Sequence, residues 1–392
     1  MGHLAREMDI PAMNIPQKSW LAVGIVALVL ALATALLTPG LVKKGPIKIG
    51  FIGGISGRVA DLGMAGRDGT ILAIEECNAQ GGINGQPLTL LVRDDHQDPL
   101  AAEAATRDLL DQGVVGLIGP MTSSMAVVVA PLINAVQIPA ISPSASTTRL
   151  TGKDDFFFRV YPDSAQETPQ ISQIAAEQLG LRRIAIICDL ANGEYTLNWA
   201  DWFTRDFVRR GGQVFDKVLF QSGPQVLFAD VAAQALAENP DGILLLTNSV
   251  DTALLAQKIR QREPDIPLLV SEWSTTQELI ELGGRAVEGI IFLHTYNAQL
   301  KAPAFLRFKA AFEKRFGYEG GFPAIKGYDA AQFLILGLKG ATSPQQLKPA
   351  LQAVEGFSGL QNDYQIDRFG DIQQQEFVMT IRNGRFEPLH PD

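Results

Sequence analysis

From Ile47 onward the chain alternates short apolar segments with helical ones, and this alternation constrains the fold more than any other feature of the sequence. The segments IKIGFI (47–52), RRIAIIC (182–188) and GILLLT (242–247) are rich in Ile, Leu and Val. Such continuous apolar runs are typical of strands buried on both faces of a parallel sheet. Strands that alternate with helices so regularly predict an α/β fold, and the series is long enough for two parallel sheets covered by helices.

A different pattern precedes this region. Residues 1–19 form a polar leader, and the uncharged run WLAVGIVALVLALATALL follows it. The run reaches the lower limit for a membrane-spanning helix, so residues 20–38 are predicted to be a transmembrane anchor or a signal sequence. Small residues at 33–35 resemble a cleavage site, whereas the long leader and the full-length apolar run favour an uncleaved anchor. Both interpretations predict export of the rest of the chain.

Composition excludes several classes of function. A net charge of −9 argues against nucleic acid as a partner, because nucleic-acid binding needs a basic surface. Two cysteines, Cys77 and Cys188, cannot form a disulfide framework and are expected to be buried thiols. None of the four histidines has metal-ligand spacing to a cysteine or to another histidine. No nucleophile with a base and an orienting group can be assembled, so we expect neither an enzyme nor a bound metal or cofactor.

Hydroxyl residues follow two consecutive predicted strands in the stretch LIGPMTSSMAVVVAPLINAVQIPAISPSASTTR, residues 117–149. The triplet 122–124 opens a predicted helix, and the loop 142–148 follows the next strand. Hydroxyls at a helix start accept hydrogen bonds from its first amides, and the partial positive charge there attracts anions. Ligands of parallel α/β sheets bind at the carboxyl ends of strands. The residues leave two interpretations open, a simple helix cap or a site for a small anion.

An acidic residue occupies the corresponding place in the second half of the chain. Glu272 follows the predicted strand 266–270. It is either a surface or capping acid or the partner of a ligand ammonium, because a buried carboxylate needs solvent or a cation. Combined with an anion site in the first half, the second interpretation predicts recognition of a zwitterion. Trp273 and Tyr195 are candidates for the apolar walls of such a site, or for the core.

With these residues placed, the chain from about 47 to 388 resembles the type I periplasmic binding proteins. Within them it is similar to the leucine/isoleucine/valine-binding branch of ABC-transporter substrate-binding proteins. The resemblance implies two Rossmann-like lobes with parallel sheets, joined by three hinge crossovers, that close on a ligand in the cleft. The first lobe would contain 47–160 with 295–358, and the second 161–294 with 359–392. The matching stretches are IKIGFIGGISGRVADLG, NAQGGINGQPLTLLVRDDHQDP, VVGLIGPMTSSMAVVVAPL, IPAISPSAS, AVEGI and GYDAAQ.

The resemblance also implies roles for individual residues. Ser123 would bind the ligand carboxylate at the helix start, and Ser144 would offer main-chain groups. Ser146 stands where the family often has threonine, and it would contact the amino-acid head group together with Thr147. Glu272 matches the acidic residue of the family that pairs with the α-ammonium.

Four positions depart from the family's pattern. Leu62, Asn192 and Asn248 stand where the family usually has aromatic residues, and Arg58 replaces a residue that is commonly proline. Asn192 and Asn248 are therefore candidate ligand-binding residues that would add amide groups to the cleft. These changes make a smaller or more polar amino acid, or an amide, at least as good a candidate ligand as leucine.

These features together predict an extracytoplasmic solute-binding protein. It would deliver a small amino acid or amide to an ABC-transporter permease from the periplasm or the cell exterior. Its N-terminal hydrophobic helix would anchor it to the inner (cytoplasmic) membrane. The alternative is a membrane-tethered ligand-sensing ectodomain that signals through a partner protein, since the same fold serves sensors and receptors.

Overall fold

A computed structural model describes residues 45–341 and 343–390 of the chain. Within these two ranges, no helix is both long enough and apolar enough to cross a membrane. The leader at 1–19 and the hydrophobic segment predicted over 20–38 lie outside the described residues, so the anchor stays a prediction.

The first sheet has five strands and is parallel throughout. The strands are β1 (Ile47–Gly53), β2 (Leu88–Asp94), β3 (Leu117–Ile118), β4 (Ala140–Ser142) and β5 (Phe157–Arg159), in the order β2-β1-β3-β4-β5. Strand β1, between β2 and β3, is buried from Ile49 to Gly53 because Ile and Phe side chains fill both faces. The helices between them are α1 (Ala60–Ala79), α2 (Pro99–Asp111) and α3 (Ser123–Val136).

The second sheet begins after a crossover and has six strands of the same parallel kind. These strands are β6 (Arg183–Asp189), β7 (Gln213–Val214), β8 (Val218–Phe220), β9 (Gly242–Leu246), β10 (Leu268–Val270) and β11 (Ile291–His294). The accompanying helices are α4 (Ser164–Gln173), α5 (Gly193–Arg209), α6 (Phe228–Leu236), α7 (Ser249–Arg260) and α8 (Gln277–Gly283). Every residue of β9 is buried, as the run GILLL predicts for a strand covered on both faces.

The remainder of the chain adds to both lobes. It contains α9 (Pro303–Phe316), α10 (Gly321–Gly340), α11 (Leu347–Gln352), β12 (Gly356–Ser358), β13 (Asp363–Ile366), β14 (Ile372–Gln373), β15 (Phe377–Arg382) and β16 (Arg385–Pro388). β15 pairs antiparallel with β11, and β16 pairs antiparallel with β15. The predicted parallel sheet is therefore extended at this edge by an antiparallel pair of strands. Asn383 and Gly384 have φ of 51° and 66° and form the tight turn that reverses the chain there.

The small antiparallel sheet of β12, β13 and β14 packs on the first lobe. The Arg159 amide of β5 donates to the Gly370 carbonyl at 3.0 Å, and the Phe357 ring stacks on Phe333 of α10 with centroids 5.6 Å apart. Residues 359–373 are predicted to belong to the second lobe, but they contact the first lobe. Only from β15 onward does the chain extend the second sheet.

The chain passes between the two sheets three times. The first crossover (160–163) joins β5 to α4, the second (295–302) joins β11 to α9, and the third (374–376) joins β14 to β15. Residues of the crossovers necessarily lie between the lobes. The ligand cleft and the hinge are therefore built partly from the same short segments.

Two helices of the first lobe touch backbone to backbone. A Cβ atom placed on Gly69 of α1 would lie 1.9 Å from the carbonyl oxygen of Ala324 in α10. A Cβ on Gly327 of α10 would lie 2.1 Å from the carbonyl oxygen of Gly66. Only glycine permits this approach, since any side chain at these positions would push the helix axes apart.

Candidate ligand-binding site

A small cavity lies between the lobes, at the carboxyl ends of parallel strands from both sheets. This is where ligands bind in open α/β sheets. The space in it that a water-sized sphere can occupy is ≈ 20 Å³, room for about one water molecule. The residues that line it are Leu62, Met121, Thr122, Ser123, Ser144, Tyr161, Asn192, Tyr195, Trp273 and Phe322.

Ser123, the first residue of α3, joins two strand ends of the first lobe. Its Oγ accepts hydrogen bonds from the backbone amides of Ser146 and Thr147, both at 3.1 Å. The hydroxyl keeps its own proton, which no described residue accepts. Ser123 can therefore donate to an oxygen of a ligand in the cavity. Nearby, Ser144 Oγ donates to the Met121 carbonyl at 2.5 Å, which fixes the second hydroxyl of the lining.

Ser146 and Thr147 lie behind Ser123 and do not line the cavity. Both are fully buried. Ser146 Oγ lies 3.3 Å from Ser164 Oγ, and Thr147 Oγ1 accepts from the Arg149 amide at 3.3 Å. Their side chains make hydrogen bonds near the loop after β4, and their amides donate to the Ser123 hydroxyl. A direct contact of either residue with the ligand stays a prediction.

Asn192 lines the cavity from the second lobe and contacts the first lobe directly. Its Oδ1 accepts from the Ser124 amide at 3.0 Å, and the Glu194 amide donates to Ser124 Oγ at 3.2 Å. One of the amides at the start of α3 is therefore already paired across the cleft. An anion at this helix start has to use Ser123 and the remaining donors, or displace Asn192.

Asn248 is buried away from the cavity and caps a helix. Its Oδ1 accepts from the Asp251 amide at 2.9 Å, and its Nδ2 donates to Asp251 Oδ2 at 3.0 Å. Asp251 also accepts from Arg58 Nη1 of the first lobe at 2.5 Å. Asn248 thus orients a carboxylate that pairs with Arg58 across the cleft. Asn248 does not line the cavity, and its contact with a ligand stays a prediction.

Glu272 is buried after β10, and its carboxylate is surrounded by donors. Oε1 accepts from the amide and the hydroxyl of Thr295, at 2.7 and 2.9 Å, and lies 2.7 Å from His294 Nδ1. Oε2 accepts from the hydroxyl of Tyr161. Burial raises the pKa of Glu272, but the contacts with His294, the hydrogen bond from Tyr161 and the charge of Lys326 together outweigh burial and leave the pKa below its ordinary value.

Tyr161 connects this carboxylate to the cavity. It lies on the first crossover, lines the cavity and donates to Glu272. Burial and the charge of Glu272 raise the pKa of Tyr161 well above its ordinary value, so the hydroxyl stays protonated. A cation at this end of the cavity would meet the Tyr161 oxygen and, through it, the charge of Glu272.

The other walls of the cavity are apolar. Tyr195 and Trp273 pack edge to face with ring centroids 5.9 Å apart, and both line the cavity as the wall hypothesis expected. Leu62, Met121 and Phe322 complete the apolar surface. A ligand here would meet hydroxyls of the first lobe, the Tyr161 hydroxyl that is hydrogen-bonded to Glu272, and apolar groups.

The sequence profile of the periplasmic binding proteins matches residues 46–385. The chain belongs to the periplasmic binding protein family. The match spans both lobes and all three crossovers, so the two-lobed architecture and the cleft are features that this chain shares with the family.

This binding protein is similar to relatives from several bacteria. It is 23% identical over 341 residues to the leucine-, isoleucine-, valine-, threonine- and alanine-binding protein of Pseudomonas aeruginosa, with 85% of this chain and 89% of the relative covered. A leucine-binding protein from Thermotoga maritima has a TM-score of 0.81 at 25% identity, covering 88% of this chain and 98% of that one. An ABC-transporter solute-binding protein from R. palustris, in complex with benzoate, has a TM-score of 0.79 at 21% identity, with 88% and 96% covered. The shared fold therefore accommodates ligands of different chemistry.

Three lining residues of the binding protein were not singled out by the sequence. Tyr161 comes from a crossover, Phe322 from the first turn of α10, and Met121 from the turn before α3. Met121 lies beside the hydroxyl cluster and could have been included with it. Tyr161 and Phe322 carry no local signal, because only the return of the chain through the hinge brings them to the cleft.

Proposed function

We propose that this periplasmic binding protein binds a small zwitterion, an amino acid or a close analogue, between its lobes. The observation that carries the proposal is that two groups of opposite character meet the cavity. Ser123 offers a hydroxyl proton, and Glu272 places a carboxylate behind the lining residue Tyr161. The amino acids in the printed names of the relatives from P. aeruginosa and T. maritima support this ligand class.

The same proposal includes delivery of the ligand to an ABC-transporter permease outside the cytoplasmic membrane. Membership of the periplasmic binding protein family supports that location and that partner. Tethering by the hydrophobic segment 20–38 is part of the proposal and rests on the sequence alone.

An aromatic carboxylate is the second candidate ligand. The apolar lining contains the rings of Tyr195, Trp273 and Phe322, and the R. palustris neighbour is in complex with benzoate. Such a ligand would use the Ser123 end and would have no cation for Glu272. The two candidates therefore differ in their dependence on the Glu272 charge.

Replacement of Glu272 by glutamine separates these candidates. Calorimetric titration of the full chain with a panel of amino acids and benzoates should give binding by an amino acid. Glu272→Gln should weaken that binding by about 2 kcal/mol, or roughly 30-fold, because a buried ammonium loses its countercharge.

The matched control is Glu281→Gln, an exposed glutamate on α8 of the same lobe, which should leave the affinity unchanged. Binding of amino acids that does not respond to Glu272→Gln would contradict the proposed ammonium contact. Binding of benzoates alone would replace the zwitterion by the second candidate.

A further inference from the structure

Three buried glutamates meet between the lobes, where the crossovers pass. Glu167 comes from the first turn of α4, Glu272 follows β10, and Glu376 lies on the third crossover. Their exposed fractions are 3%, 3% and 9%. Burial disfavours the charged form of each carboxyl group, and neighbouring negative charges disfavour it further. The three cannot all be ionised, so the structure must select which one carries the charge.

Their hydrogen-bond partners are unequal. Glu167 Oε2 accepts from Trp199 Nε1 at 3.0 Å. Glu376 Oε1 is buried and has no partner among the residues that the structure describes. Glu272, in contrast, has donors on both oxygens, from Thr295, His294 and Tyr161. Hydrogen bonds to the charged form stabilise it, so Glu272 is the anion of the three.

The ionisation of these groups follows the same division. Burial, together with the charge of Glu272, raises the pKa of Glu376 to about 8. Burial and the charge of Glu376 raise the pKa of Glu167 well above its ordinary value. The only nearby lysine, among the described residues that act on these groups, is Lys326 of α10. Burial lowers its pKa to about 8, and its Nζ donates to the Val160 carbonyl at 3.1 Å.

His294 is, with Thr295 and Tyr161, one of the donors that distinguish Glu272 from the other two glutamates. It ends β11, is 1% exposed, and places Nδ1 2.7 Å from Glu272 Oε1. The Tyr296 amide is directed at the same Nδ1 from 3.0 Å and would donate to it if Nδ1 were unprotonated. An unprotonated Nδ1 would, however, repel the carboxylate oxygen 2.7 Å away. Because the carboxylate contact is the shorter of the two, we assign a proton to Nδ1, and His294 then donates to Glu272.

Aromatic rings enclose the imidazole of His294 and fix its direction. Four ring centroids lie 5.4 to 5.8 Å from that of His294, and they belong to Phe292, Tyr296, Phe322 and Phe386. Phe322 also lines the cavity. The enclosure excludes water from the His294–Glu272 contact, which strengthens it electrostatically, and links it sterically to the ligand site.

We propose that His294 is a positioning residue that keeps Glu272 charged among the three buried glutamates, so that the site selects ligands with an ammonium group over carboxylic acids that lack one. The proposal rests on the function proposed above. An acid without an ammonium group would face the Glu272 charge with no cation of its own, whereas a zwitterion would neutralise it. Neither the Ser123 end nor the apolar walls make this distinction.

The first test needs no ligand, so it stands apart from the proposed function. The full chain is labelled with ¹³C in the glutamate carboxyl groups and titrated by NMR, and the Glu272 resonance is assigned by its loss in Glu272→Gln. In His294→Phe, which keeps an aromatic ring inside the cage, the titration midpoint of Glu272 should rise. His294→Asn, which keeps a donor near the place of Nδ1, should return it partway. An unchanged midpoint in His294→Phe overturns the proposal.

The second test measures selectivity with L-leucine and 4-methylpentanoate, which is leucine without its amino group. His294→Phe should weaken leucine binding at least tenfold at pH 6, and the loss should shrink towards pH 9 as Glu272 ionises without help. The control Glu281→Gln, at the exposed glutamate of α8, should leave leucine affinity unchanged. The Glu272 midpoint could shift in His294→Phe while leucine binding responds neither to His294→Phe nor to Glu272→Gln. This result overturns both the proposed selectivity and the proposed ammonium contact. A loss that is equal at every pH makes His294 merely structural and overturns the proposal.

Discussion

The hydroxyl of Ser123 has two tasks at once. It accepts two backbone amides from the loop after β4, and its proton points to no described residue. The two amides belong to Ser146 and Thr147, which are fully buried. A residue chosen for ligand binding from the sequence is therefore also part of the framework that holds two strand ends together.

Ser123→Ala should consequently lower the free energy of unfolding as well as ligand affinity. Two buried amides would lose their acceptor, at a cost of about 1–3 kcal/mol. Chemical denaturation of the unliganded protein measures this directly. Ser358→Ala, at an exposed serine of β12, provides the control and should change little. Loss of affinity with full stability would mean that water or the backbone replaces the missing acceptor.

At this scale the sequence predicts best what is local. Ser123 and Ser144, which line the cavity, were singled out because hydroxyls after consecutive strands reach the same edge of a parallel sheet. Asn248 was singled out for a ligand contact, which stays a prediction, and it also caps a helix, as an asparagine directly before a helix often does. Tyr161 was missed because its place depends on the path of the crossovers.

Between elements, the closing surfaces carry both attractive and repulsive contacts. Arg58 pairs with Asp251 across the cleft. Asp61 of α1 and Glu278 of α8 share the hydroxyl of Ser249, whose Oγ lies 2.7 Å from Asp61 Oδ2 and 2.9 Å from Glu278 Oε2. One hydroxyl proton can serve only one of the two carboxylates at a time. Burial and the charge of Asp61 raise the pKa of Glu278.

Closure of the lobes should therefore weaken as pH rises. The pKa of Glu278 is raised where the two carboxyls are close, so protonation favours the closed arrangement and ionisation opposes it. Small-angle scattering of the unliganded protein should show a larger radius of gyration at pH 8 than at pH 5. Glu278→Gln should remove most of this response, whereas Glu281→Gln on the same helix should keep it. An identical response in Glu278→Gln would assign the effect to other groups.

Helix bounds illustrate what local signals can predict. The sequence pattern places a helix at 303–316, and α9 has these bounds because Pro303 can occupy a first turn and Gly317 adopts φ of 81° at the end. The antiparallel pairing of β15 with β11 has no such signal, since the partners are distant in the chain. The pairing of two strands so far apart in the sequence depends on which lobe the third crossover enters.

At the scale of the whole molecule, buried acids set the dependence of stability on pH. Burial raises the pKa values of Asp95, Asp189 and Asp329 to about 6 and, with the charge of Glu272, that of Glu376 to about 8. In the unfolded chain these groups ionise near pH 4. Between the two values the unfolded state is charged and the native state is not. The stability that they contribute is present in acid and is lost as pH rises through the native pKa.

The free energy of unfolding should thus fall between pH 5 and pH 8. Each such group contributes a slope of at most about 1.4 kcal/mol per pH unit. Above pH 6 the three aspartates are ionised in the native state too, so Glu376 accounts for part of the remaining slope. Glu376→Gln should flatten the curve from pH 6 to pH 8 in denaturation experiments. Wild-type and variant curves that stay parallel over this interval would contradict the assignment.

The close approach of α1 and α10 has a consequence for how such a protein can change over evolutionary time. Gly69 and Gly327 permit no side chain, yet neither contacts the cavity. Substitutions are therefore excluded where the two helix backbones touch. They are tolerated by the framework at lining positions such as Leu62 and Asn192. Ligand specificity can therefore change during evolution while the fold is retained. Relatives with about a quarter of their residues in common can share an architecture and bind different ligands.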